Sequence, residues 1–401
     1  MKVMLAHKFH YVTGGAEVFY FEVARVLESR GHEVAFFSTE NEANSKSQRS
    51  YFVEEPKYKS TNIIAKVKGL AGMFYSGEKK QKMIEAINDF KPDILHVFAI
   101  HIHLTPSILE AAHECSVPVL MSCNDYKHIC PNYKIYDGAS ICEACKGGAF
   151  YNALLKKCCH NSLSYSAASM VEAYVHDAKD VYQKYVDKYL FASNFMLKKT
   201  EEFWVDKDVS YGILRNPFDA GDKEVVLGGE YALYFGRIID EKGVDLLVKE
   251  ASSLDIPLKI VGDGPDLIRL QSYSRKMAAD NIEFLGALWG DALSEVLSRS
   301  AFVIVPSLWH ENFPYVIFQA FAAGKPVLGS NRGGIPELIG EDRGVIFDVD
   351  VGGDLANKMQ VLWEDKSLLA DMGAGARQYV EMEFNDDVFY NTLIGHYRSV
   401  L

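Results

Sequence analysis

The sequence has few of the features that are typical of membrane-spanning, secreted or nucleic-acid-binding proteins. No apolar run reaches the roughly 18 consecutive residues that a membrane-spanning helix needs. The opening stretch, MKVMLAHKF, leads straight into a strand and has none of the three regions of a secretory signal peptide. Positive charge is scarce too, since 42 Lys and Arg stand against 54 Asp and Glu. The opening stretch leads us to expect a cytoplasmic protein. The net charge of −12 leads us to expect that it does not bind nucleic acid.

Cysteine is also sparse, with seven in 401 residues, which argues against a disulfide framework. Four cysteines nevertheless follow a C-x11-C-x2-C-x12-C pattern, and they are Cys130, Cys142, Cys145 and Cys158. Four thiolates suit tetrahedral Zn²⁺, so we predict a structural zinc in a cysteine-rich insertion over residues 130–160. Cys159 and His160 are alternatives to the fourth ligand. Free thiols, a disulfide and an iron–sulfur centre are the rival interpretations.

Short apolar stretches alternate with helical patterns in both halves, which predicts an α/β protein of two doubly wound, Rossmann-like domains. We place the first domain at residues 1–210 and the second at 211–385, and expect a final helix over 386–401 to pack back on the first. The predicted strands of the first domain are Lys2–Ala6, Glu33–Ser38, Ile94–Phe98, Val117–Ser122 and Lys188–Ala192. Those of the second are Tyr231–Phe235, Leu258–Val261, Ile282–Leu285, Phe302–Val305 and Pro326–Gly329. Residues 41–60 are polar and are predicted to be irregular.

A glycine pair, Gly14-Gly15, stands between the first strand and the first helix. Glycine lets a backbone approach a phosphate, and a helix N-terminus offers free N–H donors. A plain tight turn explains the pair equally well.

Two cations in the second domain follow a predicted strand that ends at Phe235. Arg237 and Lys242 are five residues apart, with Gly236 just before them. Open α/β sheets bind ligands at the carboxyl ends of their strands, and these two charges suit a diphosphate. The alternative is an ordinary charged surface loop. The next strand ends in a second glycine turn, Gly262-Asp263, which would form a wall of a nucleotide site or a turn only.

The segment PSLWHENFPYVIFQ predicts a helix that begins near Phe313-Pro314. Glu311 and Gln319 are roughly 12 Å apart along such a helix. One end can therefore meet a sugar and the other a ribose, with N-terminal amides between them for phosphate. A buried helix with two incidental polar groups is the alternative.

Taken together, these motifs resemble the retaining GT-B glycosyltransferases of group 1 (family 4), which include bacterial polysaccharide and lipopolysaccharide sugar transferases. The resembling residues are Gly14-Gly15-Ala16-Glu17, Asn216-Pro217, Gly236-Arg237 with Lys242-Gly243, Gly262-Asp263-Gly264-Pro265, Glu311 to Gln319, and Gly333-Gly334-Ile335-Pro336-Glu337. They span nearly the whole chain. The resemblance implies two domains that face each other across a cleft, with the donor on the second.

Roles for single residues follow from the resemblance only. Arg237 and Lys242 would neutralise the donor diphosphate, and Glu311 would contact the sugar hydroxyls. Gln319 would meet the ribose, and the backbone at Asn312, Phe313, Pro314 and Tyr315 would face the phosphates. No cofactor or metal would be needed for catalysis.

The chain departs from the family pattern at two positions. Gln319 stands where the family usually has Glu, and Asn124, in the pair Asn124-Asp125, stands where it often has His. We keep both Asn124 and Asp125 as catalytic candidates. The departures also motivate the rival hypothesis of a catalytically silent sugar-nucleotide-binding protein. A nucleotide-sugar epimerase or hydrolase of the same fold is a further alternative.

The resemblance leads us to expect a UDP- or GDP-sugar as donor and a glycan or lipid-linked acceptor. Residues 57–82 carry seven lysines and one acid, Glu78, among apolar residues. We expect this segment either to contact an anionic membrane at its inner face or to form an ordinary surface helix.

Overall fold

The computed structural model describes residues 1–55, 72, 74–205, 207–221, 225–226 and 228–401. Its contacts divide the chain into two compact units. The first comprises Met1–Asp137, Cys142–Pro217 and Asp386–Leu401, and the second comprises Gly138–Ile141 and Phe218–Asn385. The first unit therefore continues to Pro217, seven residues past the boundary predicted at 210, and includes the C-terminal helix.

The first unit is built on a parallel sheet that has seven strands among the described residues, in the order β3-β2-β1-β4-β5-β6-β7. Its strands are β1 (Lys2–Ala6), β2 (Glu33–Thr39), β3 (Ser50–Val53), β4 (Ile94–Val97), β5 (Val119–Cys123), β6 (Lys188–Phe191) and β7 (Tyr211–Ile213). Its helices before the crossover to the second unit are α1 (Gly15–Ser29), α2 (Gly77–Phe90), α3 (Ser107–Glu114), α4 (Tyr151–Lys156), α5 (Leu163–Ala178), α6 (Val181–Tyr185) and α7 (Asn194–Phe203).

The second unit has a parallel sheet with the order β10-β9-β8-β11-β12-β13 in the described part of the chain. Its strands are β8 (Tyr231–Phe235), β9 (Leu258–Val261), β10 (Ile282–Gly286), β11 (Ser300–Val305), β12 (Val327–Ser330) and β13 (Gly344–Phe347). Its helices are α8 (Val244–Ala251), α9 (Leu267–Lys276), α10 (Gly290–Ser298), α11 (Tyr315–Ala322), α12 (Ile335–Ile339), α13 (Asp354–Glu364) and α14 (Lys366–Glu383).

The last helix, α15 (Asp386–Arg398), returns to the first unit. Its apolar side, which includes Phe389 and Leu393, joins the core formed by β1 and α1. The guanidinium of Arg25 on α1 binds both carboxylate oxygens of Asp386 at 2.7 Å. The buried hydroxyl of Tyr397 lies 2.8 Å from Nδ1 of His96 on β4. The final helix is thus tied to the first sheet by burial as well as by polar contacts.

The predicted fold class is confirmed, because both sheets are parallel and helices separate their strands. All ten predicted strands are present, with ends that shift by at most two residues. Three further strands were not predicted, and they are β3, β7 and β13. The prediction of irregular structure over 41–60 was therefore wrong at Ser50–Val53, where a short strand pairs with β2 at the edge of the sheet.

Candidate functional site

The order of the second sheet reverses between β8 and β11. The chain proceeds from β8 outward to β9 and β10, then returns to β11 on the other side of β8 and continues to β12 and β13. At such a switch point the loops leave neighbouring strands in opposite directions and open a crevice at their carboxyl ends. The sequence places Lys242 after β8 and Glu311 after β11, so the fold brings both to this crevice.

The side chains of Lys242 and Glu311 form a direct ion pair, with Nζ 2.5 Å from Oε1. The Ser307 hydroxyl donates a second hydrogen bond to the same carboxylate oxygen at 2.7 Å. The carboxylate is almost fully buried, at 7% exposed, and the lysine side chain is 20% exposed. Burying a charge is costly unless it is paired, and here the lysine is the pairing charge.

Two opposing effects act on the protonation of Glu311. Burial alone would raise the pKa of its carboxyl. The charge of Lys242 and the hydrogen bonds from Lys242 and Ser307 outweigh burial, so the pKa lies below its ordinary value. Glu311 is therefore ionised at neutral pH and can accept hydrogen bonds from hydroxyl groups.

Glycines let the loops after β8 and β9 approach each other closely. Gly262 has φ +148°, and a Cβ there would lie 1.8 Å from the carbonyl oxygen of Gly236. Gly264 has φ +159°, and its Cβ would lie 2.1 Å from the carbonyl oxygen of Ile238. Both values of φ fall in the region that side-chain-bearing residues rarely adopt. A close contact with the backbone that follows β8 thus explains the two glycines that follow β9.

Arg237 differs from Lys242 in its surroundings. Its side chain is exposed, and within the described ranges no hydrogen bond or ion pair engages its guanidinium. Its backbone carbonyl accepts a hydrogen bond from the Tyr234 hydroxyl at 2.7 Å, which fixes the turn that carries it. Asp263 is also exposed, and its Oδ1 accepts the N–H of Gly264 at 2.7 Å.

Helix α11 begins at Tyr315, close to the predicted start. Pro314 is its N-cap residue, and the proline side chain makes no capping hydrogen bond. The ring of Phe313 is buried and packs against Phe318 at 4.8 Å, so its side chain belongs to the core. Asn312 and Gln319 are half-buried, in the segment just before the helix and in its second turn.

The candidates of the first unit lie on other elements. Gly14 is the N-cap residue of α1 and Gly15 its first residue, and the φ of −175° at Gly14 is an extended conformation open to any residue. Asn124 and Asp125 directly follow β5. The Nδ2 of Asn124 is buried without a hydrogen-bond partner in the described structure. Burial raises the pKa of Asp125, whose Oδ1 accepts the Lys127 N–H at 2.9 Å. Asn124 and Asp125 stay sequence-based candidates for catalysis.

The structure does not support the predicted zinc site. Cys130, Cys142, Cys145 and Cys158 line one small pocket together, so the sequence pattern does bring them near each other. All seven cysteines are free thiols, however, and within the described residues no group of three or more His, Cys, Asp or Glu is arranged to hold a metal ion. The spacing of the cysteines along the chain predicted that they lie near one another, but it did not predict the geometry of their thiols.

The lysine-rich segment is described only in part, since residues 57–71 and 73 lie outside the described residues. Three of its seven lysines are on α2 and contact groups of their own unit. Lys79 donates to the carbonyl of His103, Lys80 pairs with Glu114 at 2.7 Å, and Lys82 pairs with Glu85 at 2.9 Å. Among the helices that the structure describes, none has both the length and the apolar character needed to cross a membrane.

Two residues that shape the site, Ser307 and Trp309, were not singled out from the sequence, and Gly333 was named only as part of a motif, without a role. Ser307 binds Glu311, the Trp309 ring lies 5.6 Å from the Lys242 ammonium, and Gly333 passes close to the Glu311 backbone. A Cβ at Gly333 would lie 2.1 Å from the carbonyl oxygen of Glu311. The position of Ser307, four residues before Glu311 in the same loop, was the only signal available for it.

Comparisons with known proteins show what the second unit is similar to. The family model for glycosyl transferases of group 1 matches residues 218–379, which include every donor-side candidate of the second unit. An uncharacterized glycosyltransferase of Methanocaldococcus jannaschii is 26% identical over 40% of this chain, and the match covers 47% of that protein, about half its length. An uncharacterized 42.6 kDa protein in the cps region of Klebsiella pneumoniae is 25% identical over 84% of this chain and 87% of its own.

A solved structure shows how far the fold extends. The Anabaena protein HepE, in complex with UDP, superposes with a TM-score of 0.67 over 100% of both chains at 14% identity. At that identity the likeness shows the fold alone, which is GT-B with two Rossmann-like domains. Residues 218–379 therefore match the group 1 glycosyl transferase family, and the whole chain shares its fold with HepE.

Proposed function

We propose that this chain transfers a sugar from a nucleotide-diphosphate donor to a glycan or lipid-linked acceptor, with retention of the anomeric configuration, in the synthesis of a cell-surface polysaccharide. The observation that carries the proposal is the Lys242–Glu311 pair at the switch point of the second sheet. It combines a cation for a diphosphate with an ionised acceptor for sugar hydroxyls. The UDP bound to a protein of the same fold, and the cps-region relative, support the donor class and the polysaccharide context.

The cations Arg237 and Lys242 would bind the diphosphate. As the bond between the sugar carbon and the diphosphate breaks, negative charge develops on the leaving oxygen. A guanidinium fork, an ammonium and the positive end of the α11 dipole are all suited to stabilise that charge. These groups supply the positive charge that a divalent metal would otherwise bring, so we propose metal-independent catalysis.

Glu311 would position the donor sugar. Its carboxylate is ionised and held on one side by Lys242 and Ser307, which leaves acceptor capacity for hydroxyl groups. Gln319, in the second turn of the same helical segment, would hydrogen-bond the ribose as a neutral group. The turns at Gly236 and at Gly262-Asp263 would form the wall beside the nucleotide.

The experiment that tests the proposal is a panel of UDP- and GDP-sugars. Binding to the folded state raises the melting temperature, so the matching donor should produce a clear shift. That donor should then release nucleoside diphosphate faster when a glycan or lipid-linked acceptor extract is added. No thermal shift with any UDP- or GDP-sugar would contradict the proposed donor class.

We further propose that residues 57–71 contact an anionic membrane from the cytoplasmic side. The segment carries Lys57, Lys59, Lys66 and Lys68 and no acid, in a chain of net charge −12. Each lysine near an anionic leaflet contributes about 1 kcal/mol. Sedimentation with vesicles of phosphatidylserine and phosphatidylcholine should fall in a Lys66→Glu, Lys68→Glu variant, whereas Lys82→Glu should change it little, because Lys82 already pairs with Glu85. Equal sedimentation of all three proteins would refute the contact.

A further inference from the structure

A second pocket lies within the first unit, to which all of its lining residues belong. It encloses about 320 Å³, a volume within the usual range of small-molecule sites. Its walls come from the loop after β5, the turn before α4, one face of α5 and the end of α7. None of the residues to which we have assigned a donor role lines it.

Glu172 on α5 lies in the wall of this pocket and is 3% exposed. Its Oε2 accepts a hydrogen bond from the Lys127 ammonium at 2.6 Å. Its Oε1 is buried and has no hydrogen-bond partner in the part of the chain that the structure describes. Buried polar atoms are nearly always satisfied, so the unpartnered Oε1 of a residue that lines the pocket is a group to which a ligand hydroxyl would donate.

The charged side chains that line the pocket have no net charge, because three lysines stand against three carboxylates. Its three lysines each pair with a carboxylate of the same lining, and the pairs are Lys127–Glu172 at 2.6 Å, Lys146–Glu202 at 3.4 Å and Lys207–Asp177 at 3.6 Å. Burial lowers the pKa of His128 to about 3 and also lowers that of His176, so both imidazoles are neutral. A lining without net charge favours an uncharged ligand over a phosphate or a carboxylate.

Aromatic surface completes the pocket. Trp204 and Phe203, at the end of α7, and Phe150, before α4, are all half-buried and line it. One side of Trp204 is fixed, because its ring packs edge-on against His128 at 5.4 Å and against Tyr189 at 5.1 Å. Rigid aromatic surface beside a few placed polar groups is the usual composition of a specific pocket, and the C–H faces of a pyranose ring match such surface.

We infer that this pocket binds an uncharged pyranose unit, whose hydroxyls donate to Glu172 and whose ring packs against Trp204. The inference does not depend on transfer activity, because it concerns a binding site in the first unit that needs no nucleotide. The ligand is a neutral sugar, either a free monosaccharide or one unit of a glycan chain.

The test measures binding in the absence of any nucleotide sugar. The full chain is titrated by calorimetry with the methyl α-pyranosides of glucose, galactose, mannose and N-acetylglucosamine, and separately with glucuronate and inorganic phosphate. At least one neutral pyranoside should bind, and glucuronate and phosphate should bind at least tenfold more weakly. A short neutral oligosaccharide that contains the bound unit distinguishes a glycan site from a monosaccharide site by its tighter binding.

Two variants locate the site. Glu172→Gln removes the carboxylate and should weaken binding at least tenfold. Because that change also unpairs Lys127, Ala173→Leu serves as a second variant that fills the pocket from α5 and leaves the ion pair in place. Ala178→Leu, at an exposed position of the same helix, is its matched control.

Three results would overturn the inference. They are no binding of any neutral pyranoside at about 50 mM, stronger binding of phosphate or glucuronate, and unchanged binding in Ala173→Leu. Failure of the donor panel would leave this test unaffected, so the two proposals fail independently.

Discussion

The ammonium of Lys242 lies 2.5 Å from a carboxylate oxygen of Glu311, although 69 residues separate the two in the chain. The first follows β8 and the second follows β11, which are hydrogen-bonded neighbours at the point where the strand order reverses. The topology of the sheet therefore assembles a pair that local sequence could not. In the proposed donor site a bound diphosphate would compete with Glu311 for the lysine, so binding would be coupled to the protonation of Glu311.

The first prediction concerns the pH dependence of that pair. The pKa of Glu311 is lowered in the folded state, so its contribution to stability is present above the ordinary carboxyl value and is lost as pH falls through the lowered pKa. In Lys242→Met the carboxylate stays buried without its cation, and burial then raises its pKa. We expect a loss of about 3–5 kcal/mol at pH 7 that shrinks as the pH falls through the raised pKa of the variant and continues to shrink down to the lowered pKa of the wild type.

Denaturant unfolding at a series of pH values measures this difference. Lys249→Met, at an exposed position of α8, is the control and should follow the wild type. A loss in Lys242→Met that is the same at pH 7 and pH 4 would show that the ion pair is not its cause.

A second prediction is that Arg237 contributes to sugar transfer but not to the stability of the fold. Its guanidinium is exposed and unengaged within the described chain, so Arg237→Ala should leave the melting temperature within a degree or two. Transfer should nevertheless fall by about 10²–10³, since one charge on the developing oxyanion is lost. Arg299→Ala, which breaks an exposed pair with Glu230, should affect neither quantity appreciably. Normal turnover in Arg237→Ala would show that this residue does not take part in transfer.

A third prediction concerns the close approach of the loops at Gly262. Gly262→Ala would place a Cβ 1.8 Å from the carbonyl oxygen of Gly236, in a strained backbone conformation. The loops must separate, so we expect a loss of about 1–3 kcal/mol in stability together with weaker donor binding. Gly352→Ala meets nothing within 4 Å and should be silent in both assays. Thermal unfolding with and without the donor measures both effects, and a Gly262→Ala protein that matches the wild type would contradict the explanation.

The final helix allows a fourth prediction. In Tyr397→Phe the hydroxyl that lies 2.8 Å from Nδ1 of His96 is lost, and a buried nitrogen is left unpaired. The first unit should lose about 1–3 kcal/mol. Tyr151→Phe, at a tyrosine 53% exposed, should cost almost nothing. Equal stability of the two variants would show that the polar contact of α15 with the first sheet contributes little.

How much the sequence predicts depends on how local each feature is. Strands such as Tyr231–Phe235 are short apolar runs bounded by turn residues, and their pattern suffices to find them. The edge strand Ser50–Val53 is polar at its start and only four residues long, so periodicity gives no signal. The four cysteines were correctly predicted to lie near one another. Their thiols nevertheless do not form a metal site among the described residues, because the positions of the thiols depend on the path of the insertion.

The sequence identified candidate site residues, but it did not predict which side chains contact each other. Lys242 and Glu311 were each singled out from motifs, but their contact follows from strand order, which no motif encodes. The same holds for Lys127 and Glu172, which are 45 residues apart and were not singled out at all. Glycines were visible in the sequence as turn residues, whereas the backbone atom that each one must accommodate is visible only in the fold.

The most direct test of the central claim is a transfer assay with the UDP- or GDP-sugar that stabilises the protein, read by NMR at the anomeric carbon of the product. We expect acceptor-stimulated release of nucleoside diphosphate, a product with the anomeric configuration of the donor, and a loss of about 10²–10³ in rate for both Arg237→Ala and Lys242→Ala. Donor binding without any transfer to any acceptor, or full activity in both variants, would contradict it.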